Sequence, residues 1–204
     1  MNWLAHIFLS ENNINFQIGN YLADPLKGKA WNNADINIIK GMNVHKLIDT
    51  YTDSHIQFHN SKNRLGQKGL LKSVVVDLTY DYLLTKNWHK YCNISLDSFL
   101  NIFYKNAKAN MYTLPDYAKI KLTKLIEFDL LNKYQNLDDL KQSFLRVDKR
   151  LSFRLLKRDC VSRYFEVVSQ NINGIEDDFL LFFPQLCNHV KENTNNCLLT
   201  HWKS

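Results

Sequence analysis

Gly41-Met-Asn-Val-His45-Lys-Leu-Ile-Asp49-Thr-Tyr-Thr-Asp53-Ser-His55 is the stretch on which the reading of this chain turns. Ile36, Ile39, Val44, Leu47, Ile48 and Tyr51 return every three or four positions, a helical period, and His45, Asp49 and Asp53 then stack along one face. Gly41, one turn before His45, removes a side chain where another element or a substrate can approach closely. An isolated His-x-x-x-Asp is more often a solvated stripe than a ligand pair. Here the acids sit among apolar residues, where an unpaired carboxylate must protonate or find a cation.

The same pattern recurs outward. Val74-Val-Val-Asp77-Leu-Thr-Tyr-Asp81 carries two carboxylates at the same spacing, and Asn20-Tyr-Leu-Ala-Asp24 adds another acid before a proline. The valine run suits a strand. Leu70, Leu71, Val74, Asp77, Leu78, Asp81 and Leu84 nevertheless keep a helical period over a span too long for one strand. With only six glycines and three prolines in 204 residues, the chain reads as an all-α, single compact multi-helix domain over 1–204. Helices are expected near 2–9, 14–28, 34–53, 67–89, 95–111, 115–133, 136–150, 152–171 and 175–193. The polar stretch 193–204 reads as a frayed tail.

Cys92, Cys160, Cys187 and Cys197 form no Cys-x-x-Cys pair, which speaks against a zinc knuckle or redox dithiol and for reduced thiols in a cytoplasmic protein. The start, Met1-Asn-Trp-Leu-Ala-His6, lacks the basic region of a secretory signal, and no apolar run approaches a membrane span. A net charge of +6 favours an acidic partner without naming one. Imidazole and carboxylate ligands without thiolates suit Mn²⁺, Mg²⁺, Fe²⁺ or Zn²⁺. Such ions make water a nucleophile near neutral pH and offset charge on phosphoryl oxygens, so phosphoester hydrolysis is the chemistry this set serves best.

Met1-Asn-Trp-Leu-Ala-His6, Gly19-Asn-Tyr-Leu-Ala-Asp24, the 41–55 stretch, Ser61-Lys-Asn-Arg64-Leu, Val76-Asp77-Leu-Thr-Tyr-Asp81 with Trp88, and Phe182-Phe-Pro184-Gln-Leu186 together resemble the successive motifs of the acyl carrier protein phosphodiesterases. The resemblance implies an HD-like metal phosphohydrolase architecture. It also implies Mn²⁺-dependent removal of 4′-phosphopantetheine from holo acyl carrier protein, with Mg²⁺ or Fe²⁺ as substitutes. By position, Asp24, His45, Asp49 and Asp77 become the expected metal ligands, and His6, Asp53, His55 and Asp81 the expected proton-transfer or supporting groups. Asp81-Tyr82 stands where that family has Asp-His.

The carrier protein is strongly acidic, so Lys62, Arg64, Lys68 and Lys72 are expected to steer it, with Lys149, Arg150, Arg154, Lys157, Arg158 and Arg163 as a second basic group. No module for nucleic acid is recognisable. Two other readings compete: an HD-like nucleotide phosphohydrolase, and a non-enzymatic adaptor that binds an acidic partner through its basic helices.

Overall fold

The computed structural model describes residues 1–203. In chain order the helices are α1 (Trp3–Phe8), α2 (Ile14–Ala23), α3 (Ile36–Ser54), α4 (Ile56–Arg64), α5 (Lys72–Lys86), α6 (Trp88–Tyr91), α7 (Leu96–Asn110), α8 (Asp116–Glu127), α9 (Leu137–Asp148), α10 (Phe153–Leu156) and α11 (Phe165–Asn193). Short 3₁₀ turns join some of them. The fold is all-α, with no strand among the described residues, and the valine-rich segment is indeed a helix. No helix among these residues is long and apolar enough to cross a membrane.

Side-chain caps fix several helix starts. Asn13 accepts from the Phe16 amide, Asp35 from Asn37, Ser95 from Ser98 and Asn136 from Asp139, each satisfying an amide that has no partner within its helix. Helix α4 was not foreseen, because its polar sequence carries little periodicity. Its start is capped by His55, whose Nδ1 accepts from the Gln57 amide at 3.2 Å.

Helices α2 and α3 cross in backbone contact, and two glycines allow it. A Cβ on Gly19 would lie 2.1 Å from the Ile38 carbonyl oxygen, and one on Gly41 would lie 2.1 Å from that of Phe16. The close approach anticipated at Gly41 is therefore filled by another helix. This crossing sets the backbone of Asn20 beside His45.

Two expectations at the C-terminal end are corrected. The segments expected at 152–171 and 175–193 are joined from Phe165 to Asn193 in one helix, with Gly174 inside it under the Arg64 guanidinium, where a Cβ would come within 2.5 Å of Nη1. Arg64 in turn grips Asp178 through Nε (2.8 Å) and Nη2 (3.1 Å), tying α4 to α11. The tail expected to fray over 193–204 is packed as far as it is described. The Trp202 indole donates to the Phe8 carbonyl at 2.9 Å and its ring stacks on Phe8, while Asn93 donates its amide to the His201 carbonyl at 3.0 Å. An aromatic residue with one N–H to satisfy anchors a chain end that polar composition alone suggested was loose. Ser204 lies outside the described residues.

Candidate metal centre

The first residues of the chain, α3, α5 and α9 enclose a cavity of about 430 Å³. His45, Asp49 and Asp53 face it from α3, Asp77 from α5, and Asp24 from the turn after α2. Arg146 and Arg150 also line it, with Tyr134 and Ser143. The arrangement sets carboxylates and imidazole against guanidinium groups across one space.

His6, His45 and Asp49 form the tightest group, with one potential ligand atom from each lying within 4.8 Å of the others. The two imidazoles stack with centroids 3.9 Å apart. His6 Nε2 is 3.2 Å from Asp49 Oδ1, and His45 Nε2 is 3.1 Å from Asp49 Oδ2.

Asn20 decides what those contacts mean. Its amide nitrogen donates to the His6 carbonyl (2.8 Å) and to Ser10 Oγ (2.9 Å), which leaves Oδ1 as the acceptor facing His6 Nδ1 at 2.9 Å. The Asn20 carbonyl likewise faces His45 Nδ1 at 2.8 Å. A carbonyl oxygen only accepts, so both rings carry their proton on Nδ1. In the neutral rings, both Nε2 lone pairs then point at a carboxylate, and His6 Nε2 also meets the Met1 carbonyl at 3.0 Å.

Acceptors facing acceptors need a positive charge between them. Burial, and then the neighbouring His45, push the His6 pKa down to about 4, so a proton on His6 does not supply that charge at neutral pH. Burial acts to raise the Asp49 pKa, but a donor or positive charge at the facing His45 and His6 nitrogens prevails and holds the carboxyl well below the usual range, so Asp49 is the ionised member of the group. A divalent cation bound by both Nε2 atoms and Asp49 satisfies all three groups, with Asn20 fixing the rings through their other nitrogens. Donor chemistry and geometry thus fit an ion.

Asp77 extends the centre. Its Oδ1 is buried and lacks an aligned hydrogen-bond donor; the Met1 nitrogen lies 2.8 Å away in an ion pair and 3.7 Å from Asp49 Oδ1. A cationic group is therefore already drawn into the space between these two acids. Burial raises the Asp77 pKa despite that neighbour.

The remaining expected residues divide. Asp53 lines the cavity, and Asp24 accepts from the Trp3 indole at 2.9 Å on its wall, apart from the His6–His45–Asp49 group. His6, expected in a proton-transfer role, stands among the potential ligands instead. Asp81 is fully buried away from the cavity, where it accepts from the Leu4 (2.9 Å) and Ala5 (3.2 Å) amides and so anchors the start of α1. One helical turn separates it from Asp77, and it is not among the residues lining the cavity. His55 is likewise outside the cavity, capping α4 with Nε2 3.4 Å from Gln185 Oε1.

The steering group is displaced as well. Arg64 is committed to Asp178, Lys72 reaches the Gly66 carbonyl, Lys62 lies over the Phe58 ring, and Lys68 is exposed on the loop before α5; none lines the cavity. Arg146, which sequence reasoning missed, does. It had no signal beyond being one basic residue on an amphipathic helix.

A family model described as acyl carrier protein phosphodiesterase matches residues 1–186. This chain belongs to the acyl carrier protein phosphodiesterase family. Similar proteins bearing that family's name include one from Photorhabdus laumondii, 24% identical over 97% of this chain and 99% of the relative. Others come from Klebsiella pneumoniae, 22% identical over 91% and 95%, and from Pectobacterium atrosepticum, 22% identical over 94% and 98%. Identity is low but coverage is end to end, so the family assignment applies to the domain as a whole. No solved structure matches the chain.

Proposed function

We propose that this protein is a metal-dependent phosphodiesterase that hydrolyses the 4′-phosphopantetheine arm from holo acyl carrier protein and leaves the apo carrier. The observation that carries the reading is the pair of Nε2 lone pairs on His6 and His45 aimed at one carboxylate, inside a cavity that also holds two arginines. Family membership supports the substrate. In the same proposal the ion is manganese, the fold is a distant HD-type variant, and the protein acts in the cytoplasm on the carrier of fatty acid synthesis.

His6, His45 and Asp49 would hold the cation, with Asp77 beside them. Bound there, the cation would acidify water and neutralise charge on a phosphoryl oxygen. The protein's own residues do the rest. Asn20 keeps both imidazoles in the tautomer that offers Nε2. Arg146 and Arg150, which line the same cavity, bind the non-bridging oxygens of the diester, since a guanidinium matches phosphate geometry. As the oxygen of water bonds to phosphorus and the bond to the carrier serine breaks, the proton that water gives up passes to a cavity carboxylate such as Asp53 and the serine oxygen takes a proton. Tyr134, which lines the cavity and whose hydroxyl accepts from Asn2 at 2.5 Å, is the O–H donor assigned to that oxygen. The direct test incubates holo carrier with the protein and Mn²⁺ and reads the carrier mass. Loss of the arm is expected with Mn²⁺ and not with excess chelator; an unchanged carrier mass in both samples overturns the reading.

A further inference from the structure

A run of positive charge begins at the rim of the hydrolytic centre and continues beyond the residues assigned to it. Arg146 and Arg150 line the cavity, and the chain continues as Leu151-Ser-Phe153-Arg154-Leu-Leu156-Lys157-Arg158. Lys149, Arg150, Arg154, Lys157 and Arg158 are all exposed, and none has a carboxylate within ion-pair distance among the described residues. The acids bracketing the run are turned inward. Asp148 accepts from the Val161 (2.6 Å) and Ser162 (3.1 Å) amides. Asp159 accepts from the Leu70 (2.7 Å) and Leu71 (3.0 Å) amides and from the Tyr164 hydroxyl. Like charges left uncompensated side by side repel one another, and a partner's negative charge relieves that repulsion.

Apolar groups sit among these cations. Phe153 is 73% exposed with Lys157 Nζ 4.4 Å from its ring centroid, and Leu156 is 39% exposed. An exposed aromatic beside a cation, within a run of exposed basic residues, has the composition of an interface anchor and steering rim. The other basic group lacks this character, since Arg64 and Lys72 are bound to this protein's own acceptors.

We propose that residues 149–158 are the docking platform for an acidic protein surface, with Phe153 as its apolar anchor, and that the platform holds the carrier so that its modified serine reaches the cavity. The proposal deepens the carrier-protein reading and rests on it for the partner's identity. Charge complementarity selects the partner class, and adjacency to the cavity gives docking its purpose.

The test separates docking from chemistry. Fluorescence anisotropy of labelled carrier protein measures binding to wild type, to the R154E/K157E/R158E triple variant, to F153S and to K62E/K68E, with circular dichroism confirming that each is folded. Mass analysis of holo carrier reads release of the arm in parallel. Weakening of about tenfold or more is expected for the triple variant and about fivefold for F153S, with K62E/K68E within about twofold of wild type. Equal carrier affinity for the triple variant and wild type overturns the platform. So does a loss confined to an oligonucleotide or to phosphatidylglycerol vesicles with carrier binding intact, since the platform would then serve nucleic acid or membrane. Carrier binding that behaves as expected without release of the arm supports the platform and sinks the hydrolase reading alone.

Discussion

Asn20 bonds both imidazoles of the centre, through its side chain to His6 and through its carbonyl to His45, and so governs which nitrogen each offers. Asn20→Ala removes the His6 contact and releases that ring to turn. Mn²⁺ affinity is expected to fall about 10–100-fold, as when a ligand-orienting hydrogen bond is lost, with helix content retained; titration calorimetry and circular dichroism check it. Asp77→Ala is expected to cost more than a hundredfold in turnover, because Asp77 lines the cavity and already draws the Met1 nitrogen to 2.8 Å, a position that attracts positive charge; activity within about tenfold of wild type removes Asp77 from the centre. His45 and Asp49 were legible because one helix turn fixes their separation. The place of His6 was not, since it depends on how α1 docks 39 positions away in sequence, and Asn20 carried no signal beyond its motif. Asp81 was misread for a related reason: four-residue spacing gives a shared face but not a shared depth.

At the level of elements, the α2–α3 crossing carries the site. Gly19→Ala or Gly41→Ala would set a methyl group against a backbone carbonyl, with no flexible side chain to yield. Each is expected to destabilise the fold by about 1–3 kcal/mol or more, read by chemical denaturation, and to weaken metal binding by parting Asn20 from His45. A wild-type midpoint for either variant would contradict the crossing. Period alone predicted most helices, because an apolar stripe records which face is covered. Their ends and junctions were harder. The gap expected between 171 and 175 is spanned by helix, with Gly174 accommodating the Arg64 guanidinium, and α4 is held by Arg64, Ser61 and the His55 cap as well as by its few apolar residues.

Across the whole molecule, buried ionisable groups set opposing pH dependences. Burial raises the Asp81 pKa to about 7, so between its unfolded value and pH 7 the folded state binds more protons, and stability from this group falls as pH rises. His6 is lowered to about 4 from 6.5, so the unfolded state binds more protons between those values, and stability from this group rises with pH. The two slopes oppose each other between pH 4 and 6.5 in metal-free wild type, with the raised Asp77 acting in the same sense as Asp81. Asp81→Asn removes only its own contribution, so its stability is expected to fall less, or climb more, with pH over that window than that of wild type in denaturation series. Matching profiles for variant and wild type would contradict the assignment. That an all-α domain was legible throughout follows from scarce glycine and proline and a sustained helical period. That Asp24, His45, Asp49 and Asp77 would meet at one cavity was legible from their shared motif pattern, whereas the guanidinium of Arg146 was not, because it comes from a later helix with no such pattern.

The centre itself is tested most directly by anomalous diffraction from crystals soaked in Mn²⁺. The account requires a peak within about 2.0–2.3 Å of His6 Nε2, His45 Nε2 and an Asp49 carboxylate oxygen. A crystal that binds manganese elsewhere, with those three atoms still facing one another and no peak between them, contradicts it.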